Sequence, residues 1–252
     1  RDGCFLDGNK NIKLFEIADL DPPAKNNTGS IQSIENGYLP HITHTRGLSV
    51  IDTKAIEERN FSIVVDAVNG AASRALPTMV EALGCTVHRL HCEPDGKFPR
   101  GAEPLPHNLT VLGEAVRSHN ADAGFATDPD GDRLAIVDEN GNPLGEEYTL
   151  TICADGLFKS NSSHASIVTN LSTTMALDKV AEKYGHLVIR SAVGEINVVN
   201  KMKEVGALLG GEGNGGVILT ESHLGRDSLV GVALFLNRMA QTSDSVSHIF
   251  QS

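Results

Sequence analysis

Two consecutive α/β domains are predicted for this chain from three observations. From residue 61 onward, β-type apolar runs alternate with helical patterns, the connections between them are short, and the series occurs twice with a turn between the two halves. A chain of 252 residues can bury two ordinary cores. Its 40% hydrophobic and 21% charged residues are the balance of a soluble globular protein.

The elements follow in order. Residues 12–20 carry a short helical pattern, and residues 21–30 are a polar connector bearing Pro and Gly. Residues 61–68 read as a buried strand that turns through Asp66-Ala67-Val68-Asn69-Gly70 into a helix over 74–83. A strand over 86–92, a loop over 93–99, a helix over 109–119 and a strand over 123–127 come next. The strand over 134–138 closes the first half at the turn Glu139-Asn140-Gly141-Asn142-Pro143, which places the domain boundary near residues 142–145. The second half repeats the scheme, with helices over 146–158, 175–184, 196–205 and 227–241 and strands over 166–170, 187–191, 207–209 and 217–220. Helices are expected on both faces of each sheet.

The strongest chemical signal is Asp128-Pro129-Asp130-Gly131-Asp132-Arg133. Three carboxylates at alternate positions leave an apolar strand, and Pro129 and Gly131 imply a turn that gathers their oxygens around one point. Charges so crowded repel unless a cation sits among them. An all-oxygen set favours a hard metal, Mg²⁺ before Ca²⁺ or Mn²⁺. A calcium-binding EF-hand loop fits Asp128, Asp130, Asp132 and Glu139, but Arg133 stands where the sharp turn needs Gly and the flanks read as strands. Ligands of open α/β sheets bind beyond the carboxyl ends of strands, where this loop lies, and the Arg133 guanidinium suits a phosphate.

A second loop, Gly210-Gly211-Glu212-Gly213-Asn214-Gly215-Gly216, follows the strand over 207–209. Gly211, Gly213 and Gly216 have the G-x-G-x-x-G spacing of dinucleotide folds, yet the next segment reads as a strand and not as the helix a pyrophosphate needs. A plain hairpin turn is the simpler reading. Glu212 and Asn214, held where glycines expose backbone to a ligand, are suited to vicinal sugar hydroxyls.

Other function classes are set aside. Aromatic residues are 4%, with no Trp, and the net charge is -11, so neither stacking platforms nor a counterion-releasing basic surface is available for nucleic acid. No apolar run is long enough to span a membrane. The four cysteines form no C-x-x-C pair and read as reduced thiols of a cytoplasmic protein. Cys85, His88, His91 and Cys92 crowd one segment, but strand alternation sends them to opposite faces, away from a common zinc.

The two loops together resemble those of the α-D-phosphohexomutase family, which includes phosphoglucomutase, phosphomannomutase and phosphoglucosamine mutase. Residues 128–133 resemble its metal loop, D-x-D-G-D-R, and Gly211-Glu212-Gly213-Asn214-Gly215 resembles its sugar loop, G-E-x-S-G, with Asn214 at the Ser position. Residues 64–70 and 93–99 resemble the opening strand and long loop of its second domain, and Val193-Gly194-Glu195 and Gly225-Arg226-Asp227 are similar to weaker signatures of the third. The resemblance implies two consecutive three-layer α/β domains with mixed sheets, the middle part of a four-domain phosphohexomutase. Residues 1–43 would be the tail of domain 1 and a linker, 44–143 domain 2 with the metal loop, and 144–252 domain 3 with the sugar loop.

Also implied is reversible transfer of a phosphoryl group between the 1- and 6-positions of a hexose phosphate, through a phosphoserine and a bisphosphate intermediate. Mg²⁺ would be held by Asp128, Asp130 and Asp132, with Arg133 supporting the phosphate and Gly211, Glu212, Gly213 and Asn214 binding the sugar. The family's phosphoserine motif, T-A-S-H-N-P, is absent: Ser118-His119-Asn120 lacks its flanks and ends a helix. Its C-terminal R-x-S-G-T-E-P loop is absent too, so domains 1 and 4 of the same protein are expected partners and the chain alone is expected to be inactive. A stand-alone Mg²⁺-dependent sugar-phosphate-binding module and a metal-dependent phosphatase or nucleotidyl transferase are the rival readings. The sugar loop and residues 225–229 look most like bacterial and archaeal phosphoglucosamine mutases or phosphomannomutases.

Overall fold

The computed structural model describes residues 4–20, 29–160 and 166–252. Two four-stranded sheets are built to one plan. In the first, β1 (Ser62–Asp66) pairs in parallel with β2 (Thr86–Leu90) and β3 (Ala123–Thr127), and β4 (Leu134–Val137) runs antiparallel at the edge beside β3. In the second, β5 (Ser166–Asn170) lies between β6 (Leu187–Ser191) and β7 (Leu209–Gly211), both parallel to it, with β8 (Val217–Leu219) antiparallel beyond β7. The strand orders are β2-β1-β3-β4 and β6-β5-β7-β8, so both sheets are mixed.

Residues 63–66 of β1, all of β3 and residues 167–170 of β5 are buried, as central strands covered on two faces require. Strand β2 ends at Leu90, two residues short of the expected span, because His91 turns into the left-handed region at φ 46°. His88 bonds Ser62 Oγ, while His91 bonds Asp66, so the two imidazoles diverge. The connector at residues 21–28 lies outside the described residues.

Helix α1 (Gly8–Asp19), capped by Asp7, buries no residue. Helices α2 (Leu39–Arg46) and α3 (Thr53–Arg59) precede the first sheet, and both pack on α9 (Ser228–Ala240). Also covering the sheets are α4 (Ala75–Ala82), α5 (Thr110–His119), α6 (Glu147–Ser160), α7 (Ala176–Lys183) and α8 (Glu195–Val205), with α10 (Val246–Gln251) closing the described chain. Helix α9 is largely apolar and buried along nearly its whole length, Asn237 and Arg238 included, the pattern of a helix wrapped by protein. It packs against α6 and α4, and Phe235 meets Phe125 of β3 edge-on with ring centroids 5.7 Å apart. One apolar cluster therefore runs from Ile63 and Phe125 of the first sheet through α9 to Ile167 and Leu209 of the second. No described helix is long and apolar enough to cross a membrane.

Candidate functional site

Strand β3 delivers its last residue, Thr127, fully buried, and the chain then turns away from the sheet edge. Arg100 fixes that end: its side chain, only 4% exposed, donates from Nε to Asp66 at 2.9 Å and from Nη2 to the Thr127 carbonyl at 2.6 Å. Beyond it, the Pro129 carbonyl accepts the Ala71 N–H at 2.7 Å. A Cβ on Gly70 would stand 2.4 Å from that same oxygen, so the loop can approach this turn only because residue 70 is glycine. Gly131 takes φ 79°, and Asp128 Oδ1 accepts the N–H groups of Asp132 and Arg133, both at 3.1 Å. The loop is thus curled around the Asp128 carboxylate.

This curl brings together the three expected carboxylates: one oxygen each from Asp128, Asp130 and Asp132 lies within 4.8 Å of the others. Their electrostatics record the crowding. Burial, opposed by the Arg133 backbone hydrogen bond and reinforced by the charges of Asp132 and Asp130, pushes the Asp128 carboxyl up to about 7. Burial also raises Asp132, against the pull of Arg226, and Asp130 adds to the rise. Asp132 Oδ1 is buried with no hydrogen-bond partner. A buried acceptor without a donor, among carboxylates that resist ionising together, is the environment a divalent cation would relieve, and the all-oxygen donor set fits Mg²⁺.

Arg133 does not extend into open space. Its guanidinium folds back, bonding Glu103 through Nη1, with Nε 3.4 Å from Asp128 Oδ2. In this arrangement it holds the loop's charge.

The glycine-rich loop is the hairpin between β7 and β8, so a strand and not a helix follows it. Cβ atoms on Gly211 and Gly215 would lie 2.1 Å from the Gly216 carbonyl and 2.5 Å from the Leu134 carbonyl. Glu212 is 5% exposed, and its Oε1 accepts from Asn170 Nδ2 at 2.8 Å. Asn214 Oδ1 accepts the Gly216 N–H at 3.2 Å, which shapes the hairpin, and Gly213 packs close over Thr173.

The two loops are adjacent across the domain boundary. Leu134 N–H bonds the Gly215 carbonyl at 3.0 Å, Arg133 and Gly216 form an antiparallel bridge, and Ser228 Oγ reaches the Gly131 carbonyl at 2.6 Å. Arg226 lies between the carboxylates of both. Its Nη2 meets Asp132 Oδ2 at 2.6 Å, Nη1 meets Glu212 Oε2 at 3.1 Å, and Nε meets Glu195 Oε2 at 2.8 Å. Burial works to lower the Arg226 pKa, but Asp132, Glu195 and Glu212 outweigh it and hold the guanidinium charged. A cleft of about 410 Å³ opens over Asp130, Asp132, Glu195 and Arg226. A larger cavity, of about 730 Å³, lies elsewhere between residues 49–55 and the facing sides of α6 and α9. Its one lining carboxylate, Asp52, is spent capping α3, so it offers little chemistry.

Arg226, Glu195 and Asn170 had no role assigned from sequence. Arg226 and Glu195 fall in two short signatures, Gly225-Arg226-Asp227 and Val193-Gly194-Glu195, which marked the places but not the contacts. Ser118 lies in the last turns of α5, its hydroxyl bonded to the Ala115 carbonyl.

Residues 36–141 match the family model for α/β/α domain II of phosphoglucomutase/phosphomannomutase, and residues 145–252 match that for α/β/α domain III. The phosphoglucomutase/phosphomannomutase of Thermococcus kodakarensis is 36% identical over 238 residues, covering 94% of this chain and 51% of the relative. The phosphomannomutase/phosphoglucomutase of Pseudomonas aeruginosa PAO1 is 35% identical over 193 residues, covering 75% and 42%. A crystal structure of a phosphoglucomutase/phosphomannomutase family protein from Burkholderia thailandensis superposes with a TM-score of 0.81 at 26% identity, over 97% of this chain and 52% of that one. The N-acetylphosphoglucosamine mutase of Aspergillus fumigatus, solved with GlcNAc-6P and magnesium, shares the fold with a TM-score of 0.58 at 12% identity, over 84% and 51%. The chain spans about half the length of the curated relatives it matches.

Proposed function

We propose that this chain, which belongs to the phosphoglucomutase/phosphomannomutase family, supplies the metal-binding and sugar-binding domains of a cytoplasmic mutase that moves a phosphoryl group between the 1- and 6-positions of a hexose phosphate. The observation that carries this reading is the meeting of the two loops: Asp132 of the acidic loop and Glu212 of the hairpin bind the same guanidinium, Arg226. A cation-binding group and a hydroxyl-binding group are then within reach of one small ligand. Residues 44–143 would form the metal-binding domain and 144–252 the sugar-binding domain.

In this reading Asp128, Asp130 and Asp132 hold Mg²⁺. When bound, the metal offsets negative charge that develops on the oxygens of the transferring phosphoryl group. Arg133, beside the loop, would exchange Glu103 for a phosphate oxygen, for which its planar fork is suited. Glu212, oriented by Asn170, would exchange part of its contact with Arg226 for hydrogen bonds from sugar hydroxyls. Gly211 and Gly213, packed against the Gly216 carbonyl and Thr173, let the hairpin close tightly enough to present Glu212 and add their own backbone to the sugar site. Asn214, by turning its amide outward, adds a donor. No residue in this chain matches the phosphoserine motif, and the hydroxyl of Ser118 is engaged within α5. The phosphoryl donor is therefore assigned to another part of the protein, as is the grip on the distal phosphate, and the chain alone is expected not to turn over.

Titrating Mn²⁺, as a spectroscopic stand-in for Mg²⁺, into the chain and into Asp130→Asn tests the metal assignment. Binding should be measurable in the first and at least about tenfold weaker in the second, because loss even of a ligand's outer partner costs about that much and here a carboxylate ligand itself is neutralised; equal binding by both sinks the assignment. Glucose 1-phosphate supplied with Mg²⁺ should be returned unchanged by the chain alone, and conversion to the 6-phosphate would overturn the division of labour proposed here.

A further inference from the structure

A second group of potential ligands lies on the same cleft wall and plays no part in the reading above. His41 comes from α2, His223 from the turn after β8, and Asp227 from the head of α9. Asp227 divides its carboxylate between two tasks. Oδ1 caps α9, accepting the N–H groups of Leu229 at 2.8 Å and Val230 at 3.2 Å. That fixes the plane of the carboxylate and leaves Oδ2 toward the cleft. Both imidazoles converge on this one oxygen through the same ring nitrogen, His41 Nε2 at 2.7 Å and His223 Nε2 at 2.9 Å. The rings meet edge to face with centroids 5.9 Å apart, so neither blocks the other's nitrogen.

We propose that His41, His223 and Asp227 form a binding site for a borderline transition metal, Zn²⁺ being the reference ion, separate from the all-oxygen acidic loop. Two imidazoles and one carboxylate are a donor set that Zn²⁺ takes and Mg²⁺ does not favour. The one ligand atom that each residue offers lies within 4.8 Å of the other two. Donors about 2.0–2.2 Å from a tetrahedral ion stand about 3.3–3.6 Å from one another, so both imidazoles draw back from Oδ2 by about 0.4–0.9 Å as the ion takes the place of the two hydrogen bonds. The capped Oδ1 supplies the outer contact that orients a ligating carboxylate. His41 and His223 keep 32% and 43% of their side-chain surface exposed, against 10% for Asp227, so an ion can reach the nitrogens. Three protein ligands leave a fourth position, which faces a cleft of about 340 Å³ that Asp130, Asp132 and Arg226 also line. Because the ligands come from α2 and from two points of the second domain, a bound ion clamps α2 onto that domain.

Co²⁺ serves as the visible probe. The chain should develop tetrahedral Co²⁺ absorption bands that Zn²⁺ displaces, and Asp132→Asn should retain them. His41→Gln and His223→Gln should each weaken binding by roughly tenfold or more, since removing even an outer partner of a ligand costs that much. The double variant, checked for fold by circular dichroism, should show no bands. Absence of bands in the parent chain, or equal bands in the double variant, overturns the proposal, and so does their loss in Asp132→Asn. Should the histidine variants fail to fold, carbethoxylation of the parent chain gives the same answer: Zn²⁺ should protect His41 and His223, identified by peptide mass, and unprotected histidines refute the site.

Discussion

Arg226 offers the sharpest test of how the two loops are held together. The guanidinium side chain is 13% exposed and is shared by Asp132, Glu195 and Glu212, whose side chains are 18%, 7% and 6% exposed. Replacing it with Gln removes the positive charge and most of the donors while leaving three shielded carboxylates side by side. Removing one partner of a buried ion pair costs about 3–5 kcal/mol, whereas an exposed pair is worth about 0.2–1 kcal/mol. At about 2–4 °C per kcal/mol for a chain of this size, Arg226→Gln should lower Tm by about 6–20 °C. Calorimetry in metal-free buffer reads this directly, and a shift under about 4 °C, the range of an exposed pair, would refute the view that Arg226 joins the domains electrostatically. The same variant should gain more from Mg²⁺ than the parent chain does. Without Arg226, Asp132 has lost its internal counterion, so a cation at the acidic loop would meet less competition, and tighter binding means a larger upward shift. Equal Mg²⁺ shifts in both proteins would contradict this second half of the reasoning.

Two further perturbations address the frame. Gly215 sits at φ 88° with Leu134 oxygen 2.5 Å from where a Cβ would go, so Gly215→Ala combines left-handed strain with overpacking. It should cost about 2–5 kcal/mol, and an unchanged urea midpoint would show that the hairpin yields freely. Asp155 gives a pH dependence. Burial works to raise its carboxyl, but the hydrogen bond and charge of Arg238, with Tyr184, hold it below the usual range. Its stabilisation is therefore present above the unfolded carboxyl pKa and lost as pH falls through the folded value. Burial and then Asp155 push Tyr184 up to about 12, so the contribution of the neutral phenol is lost as pH rises from the ordinary tyrosine range toward that value. Asp155→Asn should flatten the acid limb of the stability profile. At neutral pH it should also cost about 3–5 kcal/mol, since the Arg238 side chain is only 6% exposed; an acid limb unchanged by the substitution would place the titrating group elsewhere.

The acidic loop was legible because its chemistry is local: three carboxylates, a proline and a glycine in six residues carry both the ligands and the turn that gathers them. The alternation of strands and helices was legible for a similar reason, since β-branched runs such as Ser62–Asp66 and the apolar α9 announce themselves within a few residues. Arg226 was not. Its three partners lie 94, 31 and 14 residues away, and no local pattern reports that they converge. Helices α2 and α3 escaped for want of a periodic apolar face: they bury only Ile42 and Thr45, and Ile56. The early end of β2 depends on one residue, His91, taking a backbone conformation that its identity does not require.

The backbone bond from Leu134 to Gly215, with the isolated bridge between Arg133 and Gly216, ties the acidic loop to the glycine hairpin main chain to main chain. It acts as a ruler. Side chains on either loop can change rotamer without altering this main-chain spacing. Whatever ligand enters the cleft meets the two loops at a spacing set by main-chain atoms and not by the rotamers of its side chains.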